Sequence, residues 1–252
     1  MGTIVTILSG KGGVGKTTIT ALVGAALAKQ GHKVLITDAD MGMRDLDLVI
    51  GRENDILYNV VDVQRDKENL EHALVSVSSN LDFLAASQEE SWQEVKRKKY
   101  AKLMRKLAKT YDYILIDRYT DSTLAYQGYG LGLDIDMIRT MQRYITKDVR
   151  IERTIFLDVS LDEASNRRND RAETTDKYED NEFLKRVYDG YMELIKLEPD
   201  RFLVVKNEDL DSTVKQVVND ILRVGKKQVT RRTVERHAGE TMTMRAVVSR
   251  PG

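Results

Sequence analysis

The sequence predicts an α/β fold of three layers, with a mainly parallel central sheet between helices. Three observations carry this. Short apolar runs of strand length alternate with helix-length amphipathic stretches along most of the chain. The first run leads directly into a glycine-rich turn and then into a helix. No internal repeat and no Gly-, Pro- or Ser-rich linker divides the 252 residues, a length that suits a single domain with a sizeable core.

Taken in order, the first half offers strands at Thr3–Leu8, Lys33–Thr37, Leu81–Ala85 and Tyr113–Ile116, with helices over Thr17–Gln30 and Glu94–Lys109. The second of these helices is crowded with Lys and Arg and reads as the solvated face of a packed helix. In the second half Leu133, Met137, Ile138, Met141, Tyr144 and Ile145 recur at helical spacing, and Thr154–Val159 reads as a strand. Phe183, Leu184, Val187, Tyr188, Tyr191, Leu194 and Ile195 mark another apolar helix face, followed by a strand at Arg201–Val205. Val214, Val217, Val218, Ile221 and Leu222 close the pattern with a last helix. Residues 1–222 thus read as one domain. Residues 223–252 carry eight basic and two acidic groups, a net +6, and read as a disordered basic tail.

Composition excludes several classes. Lys+Arg and Asp+Glu both number 40, so the chain has no overall charge to coat nucleic acid or membrane. The absence of Cys removes disulfides, thiolate nucleophiles and Cys-bound metals, and fits a reducing cytoplasm. The longest clearly apolar stretch, Ala21 to Ala28, is far short of the roughly 20 residues of a membrane span. A strand-like run at the N-terminus argues against a signal peptide, and the tail has no amphipathic anchor face. Only Pro199 and Pro251 are proline.

The chemistry sits in Ser9-Gly10-Lys11-Gly12-Gly13-Val14-Gly15-Lys16-Thr17-Thr18, which satisfies G-x-x-x-x-G-K-[ST] between a strand and a helix. The glycines let the backbone curl around an anion, so that Gly10, Gly12, Gly13, Val14 and Gly15 turn N–H groups toward phosphates at the helix N-terminus with Thr17 and Thr18. Lys16 then reaches the β- and γ-phosphates of ATP, and the Thr17 hydroxyl is a ligand for Mg²⁺. The expected fold is therefore that of a P-loop NTPase.

With the second lysine, Lys11, this loop resembles the deviant phosphate loop of the MinD/ParA ATPases, as do Lys33-Val-Leu-Ile-Thr-Asp-Ala-Asp40, Met43-Arg-Asp-Leu-Asp47 and Tyr111-Asp-Tyr-Ile-Leu-Ile-Asp117. That resemblance covers residues 1–117. It implies a homodimer in which Lys11 reaches the other copy's phosphates, Asp40 positions the attacking water, and Asp40 and Asp117 are the acids near Mg²⁺. After Asp117 the sequence resembles the bacterial thymidylate kinases instead, through Asp117-Arg-Tyr-Thr-Asp-Ser-Thr-Leu-Ala-Tyr-Gln-Gly128, Phe156-Leu-Asp-Val159 and Ser165-Asn-Arg-Arg-Asn-Asp-Arg171. This second resemblance, over about 117–222, implies Arg118 on the acceptor phosphate, Thr123 facing thymine and Tyr126 under the sugar beside Gln127. Arg167, Arg168 and Arg171 would belong to a lid over ATP, where planar forks hold phosphate oxygens.

Each half departs from its family. The MinD-type Ser-Pro-Ala-Gly switch loop is replaced by Arg118-Tyr-Thr-Asp121, and the kinases' Glu-Pro-Gly acceptor loop is missing. The residues for hydrolysis (Lys11, Lys16, Thr17, Asp40 and Asp117) are all present, so the sequence favours ATP hydrolysis, with dTMP phosphorylation as the alternative and a nucleotide-binding scaffold without turnover as a third reading. Asp40, beyond the second strand, is expected at the sheet's carboxyl edge beside the phosphate loop.

Overall fold

The structure is a computed structural model that describes residues 1–10, 14–38, 45–65, 69–90, 95–118, 120–146, 149–159, 181–206, 209–227 and 230. Seven strands form one sheet: β1 (Thr3–Ser9), β2 (Val34–Asp38), β3 (Leu74–Ser78), β4 (Leu81–Leu84), β5 (Tyr113–Asp117), β6 (Arg153–Asp158) and β7 (Phe202–Lys206). Their order is β3-β4-β2-β5-β1-β6-β7. Every pairing is parallel except β3 with β4. The expected strands lie within a residue or so of those observed. The addition is β3, a short antiparallel edge strand that follows a four-residue helix without a break.

The helices are α1 (Lys16–Lys29), α2 (Leu46–Ile50), α3 (Val60–Arg65), α4 (Leu70–Ala73), α5 (Arg97–Thr110), α6 (Thr120–Thr123), α7 (Ile135–Thr146), α8 (Asn181–Leu197) and α9 (residues 210–227). Helix α6 runs on as a π-helical segment, Leu124–Gly130.

Side-chain alternation along the buried strands sends their residues to two faces. Val5 and Ile7 of β1, Ile36 of β2 and Leu157 of β6 pack with Ile19, Val23 and Leu27 of α1 and with Val217 and Ile221 of α9. On the opposite face Ile4, Leu35, Ile114 and Ile116 meet α3, α4 and α5. Farther along that same face Leu8, Phe156 and Phe202 meet Leu124, Ala125 and Ile138, with Val187, Tyr191 and Leu194 of α8. This is the expected three-layer sandwich, in which strands on both sides of the resemblance boundary join one sheet through β1–β5 and β1–β6 pairing.

Two expectations need correction. Helix α7 exists, but Leu133, Met137 and Met141 are exposed, because contact with the core comes through Ile138 and Ile135. The last helix continues to residue 227, past the composition change at 223. Within it Gly225 lies against Tyr113, where a β-carbon would come 2.7 Å from the phenol oxygen. The rest of the basic tail lies outside the described residues, apart from 230.

Candidate functional site

Parallel strands that end on one edge bring their last residues together there, and helix N-termini face the same way. Strand β1 delivers Ser9 and Gly10 to this edge. Gly15 has φ 89°, a left-handed conformation that glycine tolerates, and it turns the chain into α1 at Lys16. The first N–H groups of α1 have no acceptor within the helix, and with the helix dipole they form an anion-binding end. Lys16 is buried at 7% exposure, and its ammonium donates to the Ser9 hydroxyl at 3.0 Å. Thr17 and Thr18, half-buried, occupy the first turn.

The neighbouring strands supply carboxylates. Asp117 ends β5 in register with Ile7 of β1 on one side and with Asp38 of β2 on the other. Both acids are 3% exposed. Two buried carboxylates beside a phosphate loop are oxygen donors of the hard type that Mg²⁺ takes, together with a threonine hydroxyl and phosphate oxygens. The donor set therefore fits the metal; among the described residues no cluster of three or more His, Cys, Asp or Glu competes with it.

Immediately after Asp117, Arg118 adopts φ 61°, the one non-glycine residue with positive φ among those described, while its N–H donates to the Ile7 carbonyl at 3.2 Å. Left-handed backbone costs a residue like Arg about a kcal/mol or more and persists where surrounding contacts enforce it, often at functional sites. Downstream, Tyr126 is half-buried with its ring edge-on to Phe183 of α8 at 6.0 Å. Thr123 is half-buried and Gln127 exposed. Behind them Tyr191 donates to Ser122 Oγ at 3.1 Å. Burial, with a smaller push from Tyr126, raises the Tyr191 hydroxyl far above its ordinary range; Ser122 and the Arg118 charge act weakly against that rise.

Of the residues expected at the site, Gly10, Val14, Gly15, Lys16, Thr17, Thr18 and Asp117 lie together at the β1–β5 edge, and Arg118 adjoins them. Thr123, Tyr126 and Gln127 follow on α6 and its π-helical continuation. Lys11, Gly12, Gly13, Asp40, Arg167, Arg168 and Arg171 lie outside the described residues. Sequence reasoning did not single out four neighbours of the loop: Asp38, Tyr188, Asp158 and Val159. Asp38 stands two residues before Asp40 and ends β2, where an acid directly after the Val34-Leu35-Ile36-Thr37 run was the available signal. Tyr188 of α8 packs against the phosphate loop: a β-carbon on Gly10 would lie 3.2 Å from its ring. Its hydroxyl donates to Asp158 at the end of β6 at 3.0 Å. Burial first, and then that carboxylate, raise the Tyr188 pKa. Val14 of the loop likewise packs on Val159.

A β-strand, phosphate loop and helix in this arrangement, with buried acids on the neighbouring strands, define a P-loop NTPase. Comparison with known proteins narrows the class. The family model for thymidylate kinase matches residues 64–221, and one for an AAA domain matches residues 2–125. A thymidylate kinase from Exiguobacterium sibiricum is 32% identical over 230 residues, covering 90% of this chain and 97% of the relative. The chain belongs to the thymidylate kinase family. Its N-terminal segment resembles the septum site-determining protein MinD: 48% identity over 119 residues with that of Helicobacter pylori and 44% with that of Thermotoga maritima. Those matches span 46% of this chain and only 44% of either MinD. A crystal structure of thymidylate kinase from Ehrlichia chaffeensis superposes with TM-score 0.53 at 20% identity, over 87% of this chain and 98% of that one, which supports the fold.

The two resemblances therefore overlap across 64–125, where the motifs had suggested that one hands over to the other at Asp117. Their ranking also changes. The kinase likeness runs nearly the full length and the MinD likeness covers less than half, so the better-supported reading is the one the sequence placed second.

Proposed function

We propose that the chain is an ATP-dependent kinase that transfers a phosphoryl group to dTMP. The observation that carries this is the kinase likeness along 230 residues. The placement of Arg118 next to Asp117 and the phosphate loop supports it. In this reading the loop's N–H groups and Lys16 hold the β- and γ-phosphates and offset the charge that grows on the transferred group. Thr17 and Asp117 would hold Mg²⁺, with Asp38 beside them, and the metal would supply charge neutralisation at the phosphate oxygens. Arg118, its direction set by strained backbone, grips the dTMP phosphate through its planar fork. In this reading Thr123 faces the base and Tyr126 supports the sugar with Gln127 beside it, while Arg167, Arg168 and Arg171 would belong to a lid over ATP. An oxygen of the dTMP phosphate attacks the γ-phosphorus, the bond to the β–γ bridging oxygen breaks, and ADP and dTDP result.

Positioning supplies roughly 7–11 kcal/mol in such reactions. Without a Glu-Pro-Gly loop the acceptor has one wall fewer, so a high KM for dTMP is expected. The test is product analysis with ATP, Mg²⁺ and dTMP. Formation of dTDP that Arg118→Ala abolishes supports the proposal; phosphate release indifferent to dTMP overturns it.

The identity of 44–48% with MinD over the first 119 residues favours a second reading, slow ATP hydrolysis in an ATP-bridged homodimer. Lys11 would then reach the other copy's phosphates and Asp40 would orient water. Hydrolysis lost in Asp40→Ala and unaffected by Arg118→Ala would mark that reading.

A further inference from the structure

Three consecutive residues at the start of α6 are each held from a different part of the chain. The Thr120 carbonyl accepts a bond from the Gln142 side-chain nitrogen of α7 at 2.6 Å. Asp121, 5% exposed, takes both terminal nitrogens of Arg201, just ahead of β7, at 2.7 and 2.9 Å. Ser122 accepts from the hydroxyl of the fully buried Tyr191 of α8 at 3.1 Å. These partners stand 22, 80 and 69 residues away in sequence.

Attaching this segment to the sheet does not require so many polar contacts, because Leu124 and Ala125 already bury it in the core. What the contacts add is direction at its entry. Arg118 lies two residues upstream with φ 61°, and its N–H is fixed on the Ile7 carbonyl. The strained residue is thus held between β1 on one side and a triply anchored helix start on the other. The left-handed penalty on a residue with a β-carbon shifts an equilibrium by roughly five- to thirtyfold. A single hydrogen bond shifts one by roughly three- to tenfold. The two are close enough in size that losing one anchor lets residue 118 relax in a measurable fraction of molecules. The Arg118 charge also acts on the Tyr191 hydroxyl, so the guanidinium lies within electrostatic reach of these anchors.

We infer that Gln142, Arg201 and Tyr191 are positioning residues for the acceptor: by fixing Thr120, Asp121 and Ser122 they hold Arg118 in its left-handed conformation, and with it the guanidinium that grips the acceptor phosphate. The acceptor side of this rests on the kinase reading, while the anchoring rests on the geometry alone. ATP affinity depends on the phosphate loop and α1, which none of the three anchors touches.

The test combines steady-state kinetics with urea unfolding. Gln142→Leu should raise the KM for dTMP about three- to tenfold and leave the KM for ATP within about twofold. Arg201→Lys, which keeps the charge and loses the fork, should act in the same sense. Leu194→Ala loosens the same layer without removing a hydrogen bond to α6. It should lower the urea midpoint without singling out dTMP. An unmoved dTMP KM in Gln142→Leu, equal rises for both substrates, or a dTMP-selective rise in Leu194→Ala overturns the inference. The backbone is read separately. Glycine adopts φ 61° freely, so Arg118→Gly should have a higher urea midpoint than Arg118→Ala. That gap should shrink when Gln142→Leu is added to both. A gap that stays the same overturns the anchoring whatever the activity. A shrinking gap in a protein that makes no dTDP supports the anchoring and overturns the kinase reading alone.

Discussion

Two helical layers cover the same face of the sheet and are built differently. The layer of α3, α4 and α5 lies on Ile4, Leu35, Ile114 and Ile116 and is held mainly by apolar packing, with Tyr100 and Tyr111 among its buried side chains. The layer of α6, the π-helical segment, α7 and α8 lies on Leu8, Phe156 and Phe202 and buries polar groups with the apolar ones. There Arg201 grips Asp121 with both terminal nitrogens, at 2.7 and 2.9 Å, and donates to Thr154 Oγ1 at 2.6 Å. Thr6 of β1 donates to the same Thr154 oxygen at 3.1 Å. Burial works against the Arg201 charge, but Asp121 and Glu198 outweigh it and hold the guanidinium's pKa above its ordinary value. The ion-paired layer has one geometry in which its buried charges are satisfied. Tyr126 and Tyr188 are set by this second layer, so their side of the site rests on the more specified packing.

The largest expected effect comes from breaking the ion-paired layer. Asp121→Ala leaves the Arg201 guanidinium short of its main partner and should cost about 3–5 kcal/mol in urea unfolding. A paired Asp121→Leu/Arg201→Met variant should recover much of that loss, since it leaves no charge to bury. A single-variant cost under about 1 kcal/mol, the scale of an exposed pair, would erase the contrast between the layers.

Next in size is Lys16→Ala, which removes a cation facing the phosphates. ATP affinity should fall by about 1.5–3 kcal/mol in calorimetry. Equal affinities for the two proteins would put the nucleotide elsewhere.

Smaller, and sharper for the comparison, is Tyr188→Phe. It keeps the ring on Gly10 and removes the bond to Asp158. A loss of about 0.5–1.5 kcal/mol is expected in ATP affinity, with dTMP affinity unmoved. Equal losses for both ligands would mean general loosening of α8.

The smallest effect is alkaline. Tyr191 in the ion-paired layer and Tyr111 in the apolar one both have pKa values raised by burial, Tyr111 also through its bond to Asp82. The native state holds these protons where the unfolded chain releases them. Stability is therefore complete below the ordinary tyrosine value of 10.0 and declines as pH rises beyond it. Tyr191→Phe should make that decline in the urea midpoint shallower. Identical slopes in both proteins would show that Tyr191 is not shielded as described.

Strand positions were legible because buried parallel strands leave continuous apolar runs, as in β1, β2 and β5. Helix α1 was marked by its glycine-rich start. Less legible was whatever tertiary context decides. The short helices α2 to α4 have too few turns to show a period. The exposed methionines of α7 fit a helical face as well as buried ones would. At the site, the phosphate loop and Asp117 were readable from local pattern. Tyr188 was read correctly as part of an apolar face. Its second role, against Gly10, depends on α8 crossing the end of β1 from 178 residues away, and no local spacing encodes that.

The central claim is that one edge of one sheet serves two ligands: ATP through Lys16 on the phosphate loop, and the acceptor through Arg118 beside it. Paired titrations of ATP and dTMP into the wild-type, Lys16→Ala and Arg118→Ala proteins test it most directly. The account predicts a crossed pattern, with Lys16→Ala weakening ATP and sparing dTMP, and Arg118→Ala weakening dTMP and sparing ATP. Undetectable dTMP binding in the wild type, or dTMP binding indifferent to Arg118→Ala, would contradict it.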